Sequence, residues 1–324
     1  MEVPPRRQRK RPTRRHHYVP ALYLRNFTDA SGVLHIVNRS NGHRWQGSPA
    51  SIGFENDLYW PDDLQDGQDP EVYERQFSEF ESKALPVIKR LLESGAMPTD
   101  EEELGILYNF IAFQFVRTPD ARRTVAGPRV QTARIIIDLL ENNRNLYEGE
   151  MRRLGGNLDE FTFERFQQAK GSYEVKLTTE GFLEGAMAMM DGVLNYVHRR
   201  KWTVLVSERP GESFVVSDHP VVLEWSEPRD RRFAPGHAHI ETELTLPLSA
   251  HVALIGCYTP FELNWRRMAF YVSGVNSRTI DRARVFVAAR ESEFILQSNG
   301  AIISSAEFIE QLVVDAGGRH RPAP

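Results

Sequence analysis

Two adjacent histidines, His16 and His17, stand between a basic leader and the run Tyr18-Val19-Pro20. Imidazoles change charge near neutral pH and ligate metals, so the pair suits general acid–base work or metal binding. Neighbouring residues of regular structure point in different directions, so one ring would face a site while the other packs or caps. Two imidazoles leave a divalent ion such as Mg²⁺ or Mn²⁺ under-ligated, and a metal site would need carboxylates from elsewhere. The plain alternative is a histidine pair satisfied within the fold.

The carboxylate candidates are Glu81 and Asp218. Glu81 follows Phe80 and precedes Ala84 inside an apolar stripe. A carboxylate there must find a partner or hold its proton. Pairing with an arginine to fix helix packing is one reading; metal ligation together with Asp218 and His17 is the other. Glu74 lies one step nearer the edge of the stripe. Asp218 belongs to Ser217-Asp218-His219-Pro220, directly after the strand-like Phe214-Val215-Val216. Polar clusters at strand ends often form sites. Ser and Asp before proline also make local turn hydrogen bonds, with His219 then turned to solvent.

Gln114 and Arg117 are three apart and share a helix face. Arginine cannot shed its proton to escape burial. Arg117 must therefore pair with Glu81, Asp218 or an anionic ligand, or line a cavity. Arg122 and Arg123 follow at the helix end, where the arginines would hold a phosphate, with Tyr18, Ser217 and Asn276 as further substrate contacts. Cations at a helix C-terminus are favourable without any ligand, however, and Asn276 would serve equally as an N-cap. His237 and His239 alternate near Glu241 and Glu243, either an exposed metal site or a chance loop cluster. The single cysteine, Cys257, lies in an apolar strand and reads as core. The chain has no phosphate-binding glycine loop, dinucleotide fingerprint or nucleophile elbow.

The elements that must position these groups follow from periodicity and punctuation. Pro20 opens a short helix. Val33–Val37 and Arg44–Gln46 form a hairpin turned at Asn41-Gly42. A helix capped by Asp69, with Pro70 at its first position, runs to about Leu92 and should kink or break near Pro86. The next starts at Thr99 with Glu102 as a capping box, is apolar nearly all round and stops before Pro119. A third covers Val130 to about Met151, and a fourth, capped by Thr178 or Thr179, ends near Arg200. Beyond Trp202 the pattern turns to strands: Trp202–Val206, Ser213–Val216, Leu244–Leu246, His251–Gly256 and Val285–Ala288. Helical stretches at Val275–Arg284 and Ser305–Val314 complete the chain. The expected class is α+β, a helical N-terminal half packed on an antiparallel or mixed sheet from the C-terminal half. The organisation expected is a disordered tail over 1–15 and one domain over 16–318, helix-rich to 200 and sheet-rich from 201.

Composition narrows the field. Hydrophobic residues make up 41% and charged residues 26%, as in ordinary soluble proteins. No apolar run is long enough to span a membrane, no signal-peptide core follows the basic start, and one cysteine permits no intrachain disulfide. A cytoplasmic location is expected. Residues 1–15 hold seven Arg and Lys against Glu2 alone, a surplus of six, so a chain of net charge −4 carries −10 elsewhere. The leader is either a solvated tail or an arm for nucleic acid phosphates; the acidic body argues against a broad duplex-binding face.

Several segments carry a resemblance. They are His16-His17-Tyr18-Val19-Pro20 through Tyr23-Leu24-Arg25-Asn26-Phe27, Asp57-Leu58-Tyr59, the helix around Glu81, Phe113-Gln114-Phe115-Val116-Arg117-Thr118-Pro119, Ser217-Asp218-His219-Pro220, Pro247-Leu248-Ser249 and Val275-Asn276. In this order and spacing the chain resembles the microbial family named domain of unknown function 4238, over roughly residues 14–290. That resemblance implies no activity, cofactor or catalytic residue. The residues themselves point to a phosphodiester hydrolase, in its sharper form a metal-dependent nuclease. His16 or His17 would act as base or ligand, Glu81 and Asp218 as ligands, and Arg117 with Gln114 would orient a phosphate. Nucleic acid or a nucleotide is the expected partner. The rival is a non-catalytic ligand- or nucleic-acid-binding module. A place in a defence or toxin system is compatible with both.

Overall fold

The computed structural model describes residues 15–62, 64, 69–227, 233–260 and 262–310. The leader up to residue 14, Gly67 and the end of the final expected helix lie outside the described residues.

The fold is α+β, with its helices in mid-chain and strands on both sides. The first strands are short. β1 (Arg15–His17) precedes helix α1 (Ala21–Leu24), the hairpin of β2 (Leu34–Asn38) and β3 (Arg44–Gly47), and β4 (Phe54–Asn56). Six helices follow: α2 (Val72–Ser94), α3 (Glu101–Val116), α4 (Pro119–Glu141), α5 (Arg144–Arg153), α6 (Phe163–Gln168) and α7 (Thr179–Val197). Then come β5 (Lys201–Val206), β6 (Val216–Ser217), β7 (Val222–Trp225), β8 (Thr242–Pro247), β9 (Val252–Cys257), helix α8 (Met268–Arg282), β10 (Phe286–Ala289), β11 (Ile295–Ser298) and β12 (Ala301–Ser304).

The hairpin forms as expected, with Gly42 at φ 71° in its turn. Helix α2 begins later than Asp69. That carboxylate accepts the Glu71 amide at 3.0 Å, a local turn that competes with capping. Pro86 does not break the helix, which runs on to Gly95 in the left-handed conformation. Asp100, rather than Thr99, caps α3 by accepting the Glu103 amide at 3.0 Å. Pro119 stops α3 and also opens α4, whose cap Thr118 accepts the Ala121 amide at 3.2 Å. The helix expected from Val130 to Met151 is therefore α4 and α5, parted at Asn142-Asn143.

Two four-stranded sheets carry the second half, in the orders β5-β9-β8-β7 and β3-β2-β10-β6, with every pairing antiparallel. The second corrects the expected division into a helical and a sheet half, because β10 pairs with β2, aligning Val287 with Val37. β9 is buried along its whole length. Leu254 joins a core with Leu246, Ile111 of α3, Phe182 of α7 and Phe27 of the N-terminal segment. Ala253 and Ile255 meet Met268 and Val272 of α8 on the other face. The opening segment is thereby clamped into the centre. Tyr23 donates its hydroxyl to the Pro247 carbonyl. Asn26 donates to Leu248 O at 3.0 Å, and its own carbonyl accepts the Ala250 amide at 3.1 Å.

Candidate functional site

Clamping residues 18–27 leaves β1 lying against α2 and the junction of α3 with α4. Arg117, just past the end of α3, is buried at 3% exposure. One arm of its guanidinium pairs with Glu81 and the other donates to the main-chain oxygen of His17. The rings of Phe113, Phe77 and Tyr59 enclose it, their centroids 4.7, 5.5 and 6.0 Å from its central carbon. The Tyr59 hydroxyl donates to Arg117 O at 3.3 Å. Both requirements set by burial are met: a full charge finds an acid, and the acid inside the stripe finds a base.

The imidazoles are placed differently from one another, as alternation along a strand requires. His16 is buried, stacks on Tyr59 at 5.7 Å and accepts the Tyr59 amide on Nδ1 at 2.8 Å. His17 packs against Phe54. Burial pushes both imidazoles below their usual value, and for His17 the nearby Arg117 charge adds to the effect. Glu74, in the first turn of α2 and two helical turns before Glu81, accepts a hydrogen bond from the His17 main chain. Burial raises its carboxyl from 4.5 to about 7; Arg117 opposes the rise and Glu81 assists it. Tyr18 is buried, and its hydroxyl is pushed up by burial and then by the Asp218 charge.

Buried side-chain atoms without partners concentrate here: His16 Nε2, His17 Nε2, Glu74 Oε2, Arg117 Nε and both amide atoms of Gln114, a residue with 0% exposure. Gln114 shares a face of α3 with Phe110, whose ring meets Tyr23, and with Arg117. Buried polar groups are almost always paired, so such a concentration needs an explanation.

Asp218 belongs to a neighbouring network. Its carboxylate accepts the amides of Arg284, Val285 and Phe286 at 3.0–3.3 Å, fixing the turn into β10. His219 is buried, not solvent-facing. Its Nδ1 lies 3.2 Å from Asp218 and its Nε2 lies 3.0 Å from Asp120 in the first turn of α4. Ser217 makes the local turn bond, accepting the His219 amide at 3.1 Å.

The arginines do not converge on one point. Arg122 donates to Leu58 O at 2.9 Å, and exposed Arg123 pairs with Asp120. Asn276 is no cap. It lies inside α8, fully buried, and bridges Ser213 O, Val215 N and Ile295 O at 2.8–3.0 Å. Glu81 and Asp218 both hold internal partners. Among the described residues no group of three or more His, Cys, Asp or Glu side chains could hold a metal ion, including the His237 and His239 region. Cys257 is buried, and burial pushes its thiol up to about 11, as befits core.

Tyr59, Glu74 and Asp120 were not picked out from the sequence as site residues. For Glu74 the signal was its seven-residue spacing from Glu81, which returns to the same helix face.

The motif segments thus meet in space: His16 with Tyr59, His17 with Arg117, Tyr23 and Asn26 with Pro247-Leu248. A family model, described as protein of unknown function (DUF4238), matches residues 15–307. The chain belongs to this family. The matched region begins one residue before His16 and takes in every group of the cluster. No curated protein and no solved structure matches the chain. No helix among the described residues is long and apolar enough to cross a membrane.

Proposed function

We propose that the chain is a phosphodiester hydrolase working by general acid–base catalysis, with His17 and Glu74 as the proton-transfer pair and RNA or DNA as the substrate class. The observation that carries this reading is the pairing of two buried, unpartnered atoms, His17 Nε2 and Glu74 Oε2, on groups joined through the His17 main chain. Their proton affinities are displaced in complementary directions. His17, lowered, is neutral near pH 7 and can accept a proton. Glu74, raised to about 7, still holds one in part and can donate it. Phosphate as the target is supported by the basic character of the sequence leading up to His16.

In this mechanism His17 takes the proton of the attacking water or ribose hydroxyl as its oxygen bonds to phosphorus. The phosphorus–oxygen bond to the leaving group breaks, and Glu74 protonates the departing alkoxide. Gln114, buried on the same helix face as Arg117, has a free donor and acceptor that only an opening of the site would bring to the substrate. Arg117 and Glu81 are positioning residues, since their own hydrogen bonds face each other and the His17 carbonyl.

The test is incubation of the purified protein with RNA, DNA and cyclic nucleotides, with Mg²⁺, with Mn²⁺ and with chelator. Turnover that survives chelation and is lost in His17→Ala and Glu74→Gln is expected. A chelator-sensitive activity would return the assignment to a metal-dependent nuclease, and no turnover across the panel would sink both. The internal pairing of Arg117, Glu81 and Asp218 favours a second reading, a nucleotide-binding module without chemistry. Tight binding of the same ligands without turnover would identify it.

A further inference from the structure

Arg200, just past the end of α7, is buried at 3% exposure. Its hydrogen bonds go only to neutral groups: Thr242 O at 2.7 Å, Gly256 O at 3.0 Å, the Thr242 hydroxyl at 2.9 Å and His237 O at 3.5 Å. Its Nε has no partner. Glu243, the carboxylate whose field reaches it, is taken by Arg278 at 2.6 Å. Main-chain oxygens hold the guanidinium in place without cancelling its charge, and a buried charge without a counter-ion is costly. Arg199 and Lys201 on either side are exposed and make no ion pair among the described residues. The longest run of cations in those residues is therefore unbalanced.

A second unmet demand lies beside it. Both ring nitrogens of His237 are buried without partners. Burial, and then Arg200, pushes this imidazole down to about 4, so near neutral pH it offers one N–H and one lone pair. Tyr196 stacks on His237 at 6.4 Å, and Arg199 lies over the Tyr196 ring at 5.7 Å. Phe115 meets His237 edge-on at 4.7 Å. Phe115 directly follows Gln114 on α3, so the cluster adjoins the His17 site across one helix.

We propose that this junction is a second phosphate subsite, which holds a single-stranded nucleic acid beside the His17 site. Arg199 and Lys201 take the phosphates, Arg200 supplies uncancelled charge beneath them, and His237 supplies a neutral N–H donor. The assignment rests on the nucleic acid substrate proposed for the His17 site. A narrow cationic run on a chain of net charge −4 suits the single backbone of one strand better than the two of a duplex.

Fluorescence anisotropy of a labelled single-stranded oligothymidylate with the full chain tests this. Arg199→Gln/Lys201→Gln, both exposed, should keep the circular dichroism and bind about tenfold more weakly, with the log–log salt slope shallower by about 1.4, or about 0.7 per phosphate contact. His237→Phe keeps the ring packing and should weaken binding without lowering stability in urea. In the wild type, the His237 imidazole signal should titrate above about 4 once the oligonucleotide is bound. Absence of binding would overturn the subsite, as would affinity and salt slope unchanged in the double variant. So would flotation with anionic vesicles in place of oligonucleotide binding, which would give the cations to lipid. Binding that depends on Arg199 and Lys201 in a protein without turnover would keep the subsite and sink the hydrolase alone.

Discussion

Glu74 turns the candidate site into something a pH series can read. Its carboxyl titrates at about 7 in the folded chain against an ordinary 4.5. Between those values the folded state binds more protons at this position than the unfolded state. Stability therefore falls as pH rises through the window: the favourable contribution is complete below 4.5 and lost above about 7. The gap converts to about 3.4 kcal/mol at 1.36 kcal/mol per unit; allowing for solvent screening of a half-buried side chain gives about 2–3 kcal/mol. Glu74→Gln keeps the shape and removes the titration. In urea unfolding the variant should match the wild type near about pH 4 and exceed it by about 2–3 kcal/mol near about pH 8. His16 and His17, lowered by burial, act with the opposite sign, their contribution being lost as pH falls, but they are present in both proteins and largely cancel in the difference. A difference that stays flat with pH, or that grows towards acid, would refute the environment assigned to Glu74 and remove the proton donor from the mechanism.

Other outcomes follow from the same contacts. Glu81→Ala strands a buried guanidinium and should cost about 3–5 kcal/mol in urea unfolding, with most of it recovered in Glu81→Leu/Arg117→Met. Asp218→Ala removes the acceptor of three amides and should lower stability by about 2–4 kcal/mol. Hydrogen exchange at the Val285 amide should accelerate with it. Asn276→Ala should cost about 2–4 kcal/mol for the partners it strands on either side of α8. Cys257 should resist thiol reagents in the native protein at neutral pH and react once urea unfolds it.

What could be read from the sequence was local. The all-round apolarity of α3 announced a central helix, and the three-residue spacing of Gln114 and Arg117 announced a shared face. The charge argument reached further, because an arginine that cannot deprotonate inside an apolar helix has to find an acid, and Glu81 was already named. Three kinds of information were hidden. Pro119 reads as a stop signal, and nothing in the pattern says that the same residue also starts α4. β6 keeps only two ladder residues because the amides before it are taken elsewhere, Phe214 by Ala250 O and Val215 by the Asn276 side chain. Finally, the pairing of β2 with β10 joins segments some 250 residues apart, which no periodicity encodes.

Partner satisfaction then separates two groups that composition cannot. Tyr23, Asn26, Asn276, Asp218 and the Arg117–Glu81 pair are polar residues of the motif segments, and each would pass for a site residue in a bare sequence. Each also ends on a main-chain group or an ion partner that holds distant elements together. Their polarity is explained by architecture, since a buried polar side chain bonded to the backbone specifies one arrangement of segments and rejects others. Gln114 has no such explanation. A glutamine with both amide atoms unbonded on a buried helix face should be replaceable by leucine or methionine, at no cost or with a gain. If Gln114→Met leaves or raises stability while turnover or ligand binding falls, the residue is kept for a bond made only with substrate. If the same change destabilises the fold, the amide is bonded internally after all, and the cluster around His17 becomes one more piece of the clamp.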